Sequence, residues 1–174
     1  MTLACGCPEH FPDWDGQDID LGGRLVHALS IPTFMHMPLA YELYVKRQQQ
    51  SIEQLGLEEE WPGLVLARTG FLRGSIIRLL VNTRSPARNI HILPRPFWVR
   101  AALHRGNLST GRKVIQRIQM ELVDAGRRPK ELYLSYLTCP NCNAERGGEL
   151  ILFLRRWEES AVLKKRLSKR GSIS

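Results

Sequence analysis

Several features are missing from this 174-residue sequence, and each absence excludes a class of protein. No apolar run approaches the roughly 18 residues that a helix needs to cross a bilayer, so a helical membrane protein is excluded. Walker loops and the GxGxxG, HExxH and GxSxG motifs are absent, so none of these motifs points to a reaction. Hydrophobic residues at 43% and charged residues at 24% are ordinary values, which excludes wholesale disorder and fibrous classes. The length predicts about one domain.

Basic residues are scarce in the first third of the chain. Residues 1–62 carry 3 basic and 10 acidic side chains, a net charge of −7, whereas residues 63–174 carry 22 and 7, a net charge of +15. The overall charge of +8 therefore has two interpretations. The basic part binds an anionic partner, or the acidic segment folds back on it within one molecule. The second interpretation is favoured because both segments belong to one chain and meet at high effective concentration.

The N-terminal residues lack the basic start and the roughly 7–15-residue apolar region of an export signal. We therefore expect a cytoplasmic protein. Disulfides are rare in that compartment, so close cysteine pairs indicate metal ligands or redox thiols.

All four cysteines fall in two close pairs, Cys5-Gly-Cys7 and Cys139-Pro-Asn-Cys142. Two thiolates at such a spacing can bind one tetrahedral ion, with Zn–S bonds of about 2.3 Å. We predict one structural zinc ion held by all four, which would pin the N-terminal arm to a hairpin tip. A four-cysteine shell leaves no open position, whereas a three-ligand site would admit a water. A redox dithiol, unliganded thiols, and a ligand role for His10 are the alternatives.

Residue patterns predict the same order of elements twice: strand, helix, strand, strand. Duplicated βαββ units would form one antiparallel sheet with two helices on a common face, an α+β architecture. A zinc-knuckle hairpin and a short C-terminal helix complete the prediction. The predicted organisation is an irregular acidic arm (1–20), a single α+β domain (21–157) with pseudo-repeats 24–82 and 97–154, and a basic C-terminal helix and tail (158–174).

The predicted helices have recognisable ends and faces. Pro38 opens the first, with Gln48–Gln50 away from its apolar face. That face carries Leu39, Leu43, Ile52 and Leu55. Ser109 or Thr110 is the expected cap of the second helix, and a third is expected over residues 157–167.

Residues 90–153 resemble the effector-binding domain of the GyrI-like family. The matching features are His104-Arg105-Gly106, the helix 110–125, Gly126, Tyr133-Leu134 and Glu149. The usual Asp-Pro after Tyr133-Leu134 is absent, and the hairpin loop carries the cysteine pair instead. The resemblance implies a duplicated βαββ fold and a cleft for small, often apolar and cationic molecules. In that family one buried glutamate and nearby aromatic residues make the contacts; Glu149 and Tyr133 match them, and Trp98 is a further aromatic.

Three functions follow from these observations. The leading one is a small-molecule-binding domain with a structural zinc, which favours binding over catalysis. The first alternative is a zinc-stabilised nucleic-acid-binding module, whose phosphate contacts would come from the basic tail 164–170 and from residues 127–130. The second is a hydrolase that uses Glu149 or an open zinc position, since some relatives of GyrI-like type are hydrolytic. A solvated, idle Glu149 at a strand end is the plain alternative to either role.

Overall fold

The computed structural model describes residues 1–81 and 84–171, which contain nine strands and three helices. The strands are β1 (Asp18–Asp20), β2 (Leu25–Phe34), β3 (Met37–Pro38), β4 (Leu66–Arg68), β5 (Arg73–Leu80), β6 (Ile90–Ile92), β7 (Trp98–Arg105), β8 (Arg127–Tyr136) and β9 (Leu150–Glu159). The helices are α1 (Tyr41–Gln54), α2 (Leu108–Asp124) and α3 (Ala161–Gly171). Position 82, the predicted end of the first repeat, and positions 172–174 of the predicted tail lie outside the described residues.

The strands form one antiparallel sheet in the order β1-β7-β9-β8-β4-β5-β2-β3, and β6 also pairs with β2. Its two halves, β2-α1-β4-β5 and β7-α2-β8-β9, have the same internal order. Within each half, the first strand (β2 or β7) lies farthest from the other half, and the second strand (β4 or β8) lies next to it. The halves join where Ala67 on β4 pairs with Leu134 on β8. The predicted α+β fold of duplicated βαββ units is therefore confirmed.

Both α1 and α2 pack on one face of the sheet. Ile76, Ala67, Leu134 and Phe153 are successive cross-strand partners on β5, β4, β8 and β9, so their side chains share a face. Ile76 and Ala67 pack with residues of α1, while Leu134 and Phe153 pack with residues of α2. The predicted common helix face follows from this register.

The opposite face is filled by side chains from the arm and the loops. Its buried cluster includes Leu66, Tyr133 and Leu154, and Trp14 from the arm packs on it beside Trp61. The rings of Trp14 and Trp61 meet edge to face at 6.5 Å. The cavity left among these side chains measures about 10 Å³, hardly the space of one water molecule.

The acidic arm folds back on the basic body of the same chain. Residues 18–20 form a strand, β1, rather than irregular chain, because they pair with β7. Carboxylates of the arm also contact main-chain N–H groups and arginine side chains of β7, of β8 and of the loop that precedes β7. These contacts join Asp15 to the Leu103 N–H (2.8 Å), Asp20 to the Phe97 N–H (2.8 Å), and Asp18 to Arg127 (2.8 Å) and Arg100 (3.3 Å). The favoured interpretation of the charge asymmetry is thus supported.

The predicted apolar face of the first helix is wrong. Pro38 lies in β3, and α1 begins at Tyr41. Leu43 is 65% exposed, whereas Gln48 is completely buried. Leu39 and Leu55 are also exposed, and only Ile52 of the predicted set is buried. The side chain of Gln48 points toward the sheet because it finds hydrogen-bond partners there. These hydrogen bonds compensate the free-energy cost of burying an amide.

The other two helices also begin elsewhere than predicted. Asn107, rather than Ser109 or Thr110, caps α2, and its side chain accepts the N–H of Thr110 at 3.0 Å. Trp157 belongs to β9, which continues to Glu159 in pairing with β8, so α3 begins only at Ala161. No helix in the described part of the chain has the length and apolar character needed to cross a membrane.

A glycine inside α2 lets the helix approach the sheet. A Cβ atom at Gly111 would lie 2.6 Å from Cζ of Phe153, which is fully buried. We expect Gly111→Ala to lower stability: overpacking costs about 1–3 kcal/mol, more than the gain of up to about 1 kcal/mol from alanine's helix propensity. Chemical denaturation measures the change, and Arg112→Ala, at the exposed next position, should stay within about 0.5 kcal/mol. A stabilised Gly111→Ala variant would contradict this packing.

Candidate metal centre and adjoining cleft

The loop between β8 and β9 forms a knuckle around one cysteine pair. The N–H of Cys142 donates to the carbonyl of Cys139 at 3.1 Å, and the N–H of Asn143 donates to the same carbonyl at 3.0 Å. The N–H of Cys139 points at Sγ of Cys142, 3.3 Å away. A main-chain N–H directed at a sulfur stabilises the thiolate form that binds metals.

The second pair lies in the N-terminal arm, which the hairpin holds in place. The N–H of Leu3 donates to the carbonyl of Cys7 at 2.9 Å and closes a small loop. Gly6, between the cysteines, has a φ of 84°, a left-handed conformation that suits glycine. Arg146 of the hairpin donates to the carbonyl of Pro8 at 2.9 Å. The guanidinium of Arg146 thus ties the main chain of the arm to the hairpin that carries the knuckle.

These two loops bring the four cysteines together, as the sequence predicts. The Sγ atoms of Cys5, Cys7, Cys139 and Cys142 all lie within 4.8 Å of one another. Those of Cys139 and Cys142 are 3.8 Å apart, which is also about the S–S separation of a tetrahedral site with Zn–S bonds of about 2.3 Å. His10 is exposed and does not belong to the cluster. The group could hold one metal ion.

The thiols of this cluster differ in acidity. At Cys139, burial opposes ionisation, but hydrogen bonds from the Asn141 and Cys142 main chain and from the arm thiols outweigh it and lower its pKa to about 7. Burial raises the pKa of Cys7, and its hydrogen bonds to the other three thiols add to that rise. Burial also raises the pKa of Cys142. Four thiolates at this spacing repel one another, and a divalent cation would supply the charge that stabilises them.

A cleft of 780 Å³ opens beside the cluster, between the knuckle, the arm and α1. Its walls include the rings of Tyr41 and Tyr136, which meet edge to face at 6.5 Å, and the apolar side chain of Val65. Burial raises the pKa of Tyr41 to about 12, and burial followed by the charge of Glu149 raises that of Tyr136. Glu42, at the start of α1, adds a carboxylate to the lining. Lys46, also on α1, adds an ammonium group to the lining. The cleft therefore combines neutral aromatic rings with charged side chains of both signs.

The three residues predicted to bind a ligand are not gathered in one place. Tyr133 is 8% exposed in the cluster on the helix-free face of the sheet. Trp98 packs on the helix face, where its ring stacks on Trp157 at 5.6 Å. Glu149 is exposed just before β9, close enough to Tyr136 for its charge to act on that hydroxyl. Only Glu149 thus lies near the cleft, and the ligand roles stay predictions.

The basic residues of segment 127–130, considered for phosphate contacts, have acidic partners within the chain. Arg128 and Lys130 both pair with Glu158, at 3.5 and 3.3 Å. Arg127 pairs with Asp18, and its guanidinium lies 4.0 Å from the centroid of the Trp157 ring. These pairs reduce the positive field that would attract a nucleic acid.

A buried polar network under α1 is a feature that sequence reasoning missed. His27, Gln48 and Arg78 are each at most 2% exposed, although none lies beside another in the sequence. Arg78 donates to both oxygens of Glu59, at 2.7 and 2.8 Å, and to Oε1 of Gln48 at 3.2 Å. Nε2 of His27 lies 3.1 Å from Oγ of Ser51. No local pattern marks these residues, because their contacts join strands β2 and β5 to α1.

Comparison with solved structures supports the fold. The chain is similar to the crystal structure of the EcmrR C-terminal domain, with a TM-score of 0.59 and 11% identity over 82% of this chain and 96% of that one. It is also similar to EcmrR in the cryo-EM structure of the EcmrR-DNA complex in EcmrR-RPo, with a TM-score of 0.56 and 10% identity over 82% of this chain and 56% of that one, so the match spans about half of that protein. The EcmrR domain has the GyrI-like fold that the sequence resemblance implies.

Comparison of sequences places the chain in a different family from the one it resembles. No curated protein matches it significantly. The sequence model described as Bacterial hydrolase, in contrast, matches residues 2–156. The chain therefore belongs to the Bacterial hydrolase family.

Proposed function

We propose that the chain is a small-molecule-binding protein stabilised by one zinc ion. The observation that carries the proposal is the 780 Å³ cleft next to the four-cysteine cluster. A cavity of several hundred Å³ with apolar walls and few polar groups is the usual form of a ligand site. Thiolates favour zinc over harder cations, and four of them close the coordination shell, so the ion is structural. It would hold the arm and the knuckle, which form one wall of the cleft.

The chemistry of the cleft favours a small apolar cation. The rings of Tyr41 and Tyr136 offer aromatic surface, and cations bind favourably over such rings. Glu42 lines the cleft and Glu149 acts on Tyr136, so two carboxylates lie near the same rings, against the one ammonium group of Lys46 in the lining. A cation with apolar substituents would bury those groups against Val65 while its charge faces a carboxylate. This proposal retains the prediction from sequence that the protein binds a small molecule and that Glu149 takes part in binding it.

Tetraphenylphosphonium, an apolar cation, is a direct probe of this proposal. At ten times its dissociation constant it should stabilise the protein by about 1.4 kcal/mol, which corresponds to roughly 3–6 °C in the unfolding midpoint of a chain of this size. Thermal unfolding followed by circular dichroism measures the shift. Glu149→Gln and Glu42→Gln should reduce it, because each removes a negative charge from the surroundings of the cleft.

The matched control is Glu121→Gln, which removes the same charge from an exposed i,i+4 pair with Arg117 on α2. It should leave the shift unchanged. A probe that gives no shift with the wild-type protein, or one that loses its shift equally in Glu121→Gln, would count against the cleft as a cation site.

Hydrolysis is a second candidate function, and the match to the Bacterial hydrolase family is what favours it. The closed four-cysteine shell argues against an open zinc position as the source of activity. A hydrolase would then depend on an acid, base or nucleophile of the chain itself, such as Glu149.

A further inference from the structure

A second cavity, of 370 Å³, lies between α1 and β2. Its walls are formed mainly by polar side chains, among them His27, Arg47, Ser51, Gln54 and Asn89. The cleft beside the cysteine cluster is lined by α1 residues between positions 41 and 49, and this cavity by other α1 residues between positions 47 and 54. The two cavities therefore have different linings and different chemistry.

A serine and a histidine meet at the wall of this cavity. Oγ of Ser51 lies 3.1 Å from Nε2 of His27, within hydrogen-bond distance. Ser51 is half-buried. His27 is completely buried, and its side chain forms part of the cavity wall. A hydroxyl that borders a cavity and contacts an imidazole has the arrangement of an activated nucleophile and its base.

The contacts of Gln48 bear on which nitrogen of His27 carries the proton. The amide of Gln48 donates to the main-chain carbonyls of His27 and Ile76, at 2.9 and 3.2 Å. The amide nitrogen also lies 3.3 Å from Nδ1 of His27, the longest of its three contacts, and it has two hydrogens for these three neighbours. The ring also bonds its own main chain. A base role for His27 requires the tautomer with the proton on Nδ1, in which both amide hydrogens of Gln48 go to the two nearer carbonyls and the lone pair of Nε2 faces the hydroxyl of Ser51.

The network also holds the imidazole in place. Arg78 donates to Oε1 of Gln48 at 3.2 Å, which fixes the orientation of the amide. Arg78 is itself held by both carboxylate oxygens of Glu59, at 2.7 and 2.8 Å. Buried networks with satisfied members hold their side chains rigidly, as a preorganised site requires.

The electrostatic surroundings keep His27 available as a base. Burial, and then the positive charge of Arg78, lower its pKa, so the ring is neutral near pH 7. The charge of Glu59 acts in the opposite direction and would stabilise the imidazolium that forms during a reaction. Arg47 contributes a basic side chain to the lining of the same cavity.

We propose that Ser51 and His27 form a nucleophile–base pair that hydrolyses small polar carboxylic esters. Oγ of Ser51 would attack the ester carbonyl while its proton passes to Nε2 of His27. The C–O bond to the alcohol breaks, and the alcohol leaves with that proton. Water then attacks the acyl-serine and gives one proton to His27, the carboxylic acid is released, and the proton returns to Ser51. Arg47 in the lining favours substrates that carry a carboxylate or another polar group.

This inference rests on the hydrolase candidate and does not depend on the cation cleft. A fluorophosphonate probe reacts with activated serines, and intact-mass and peptide mass spectrometry report how many adducts form and where. We expect one adduct, on Ser51, and none in Ser51→Ala. Turnover of p-nitrophenyl acetate should fall roughly 10²–10⁴-fold in Ser51→Ala and His27→Gln, the usual contribution of a general base.

Matched controls separate catalysis from folding. Ser109→Ala and His91→Gln change the same residue types at exposed positions on α2 and β6, and both should keep the adduct and the turnover. Ser51→Ala should unfold within a few degrees of the wild type and keep its stabilisation by tetraphenylphosphonium. An adduct on another residue, its absence in the wild type, or its survival in Ser51→Ala would overturn the nucleophile assignment. Loss of the cation shift alone would instead contradict the cleft.

Discussion

Replacing Cys142 with serine is expected to remove the bound zinc and destabilise the fold more than most single changes in this chain. Cys142 is 4% exposed and meets the other three thiols within 4.8 Å. Structural zinc sites contribute directly to folding, with apparent binding energies of about 10–16 kcal/mol in isolated fingers. Here the ion would join the arm to a domain that has its own hydrophobic core, so we expect loss of the ion to remove only part of that energy from the stability of the fold. We expect a loss of at least about 3 kcal/mol, or roughly 6–12 °C in the unfolding midpoint.

Metal analysis of protein purified without added metal tests this prediction. The wild type should carry about one zinc per chain and the Cys142→Ser variant less than a tenth of that. Asn141→Ser is the matched control, since it changes an exposed residue of the same loop between the two cysteines. It should keep both the zinc and the stability. Undiminished zinc in Cys142→Ser would eliminate the four-cysteine site.

Replacing Glu59 with glutamine is expected to cost about 3–5 kcal/mol, the usual cost of leaving one member of a buried ion pair uncompensated. The side chain of Arg78 is 3% exposed, and Glu59 binds its guanidinium through both oxygens. Glutamine has nearly the same shape but no charge, so the buried cation loses its counter-ion. Glu59 also accepts the N–H of Gly63 at 3.0 Å, a bond that the amide oxygen can keep. The loss therefore reports the charge together with one of the two hydrogen bonds to Arg78, because glutamine has a single acceptor oxygen.

The adjacent residue provides the control for this variant. Glu60 pairs with Arg24, but their side chains are 29% and 32% exposed. Exposed pairs contribute about 0–1 kcal/mol, so Glu60→Gln should have little effect. Denaturant unfolding in low and high salt measures the loss of stability in each of the two variants. Equal losses from Glu59→Gln and Glu60→Gln would contradict the buried network on which the position of His27 depends.

The cysteine cluster was predictable because the ability of cysteines to share a metal ion depends on short spacings in the sequence. Two cysteines separated by one or two residues can reach one ion whatever the rest of the fold does. That Cys5 and Cys7 meet Cys139 and Cys142 was a further inference, drawn from the absence of any other cysteine. The 4.8 Å grouping confirms it, and Arg146 supplies an anchor for the arm that no spacing predicted.

The buried face of α1 was not predictable from hydrophobicity. Gln48 lies inward and Leu43 outward because the amide finds its hydrogen-bond partners on strands 21 to 30 positions away. A hydrophobic pattern ranks side chains by their transfer from water and carries no information about distant partners. The catalytic proposal for Ser51 and His27 depends on the same long-range contacts, so no local pattern of residues indicates it.

The sequence by itself determined the repeated βαββ order, the paired cysteines and the opposite charges of the two segments, since each depends on residues near one another in the chain. Only the tertiary structure decided that the arm fills the helix-free face of the sheet, that Tyr133 and Trp98 lie on opposite faces, and that a second cavity opens under α1. These features depend on strand register and on which buried polar groups find partners. Both are set by contacts between distant segments, where local patterns carry no information.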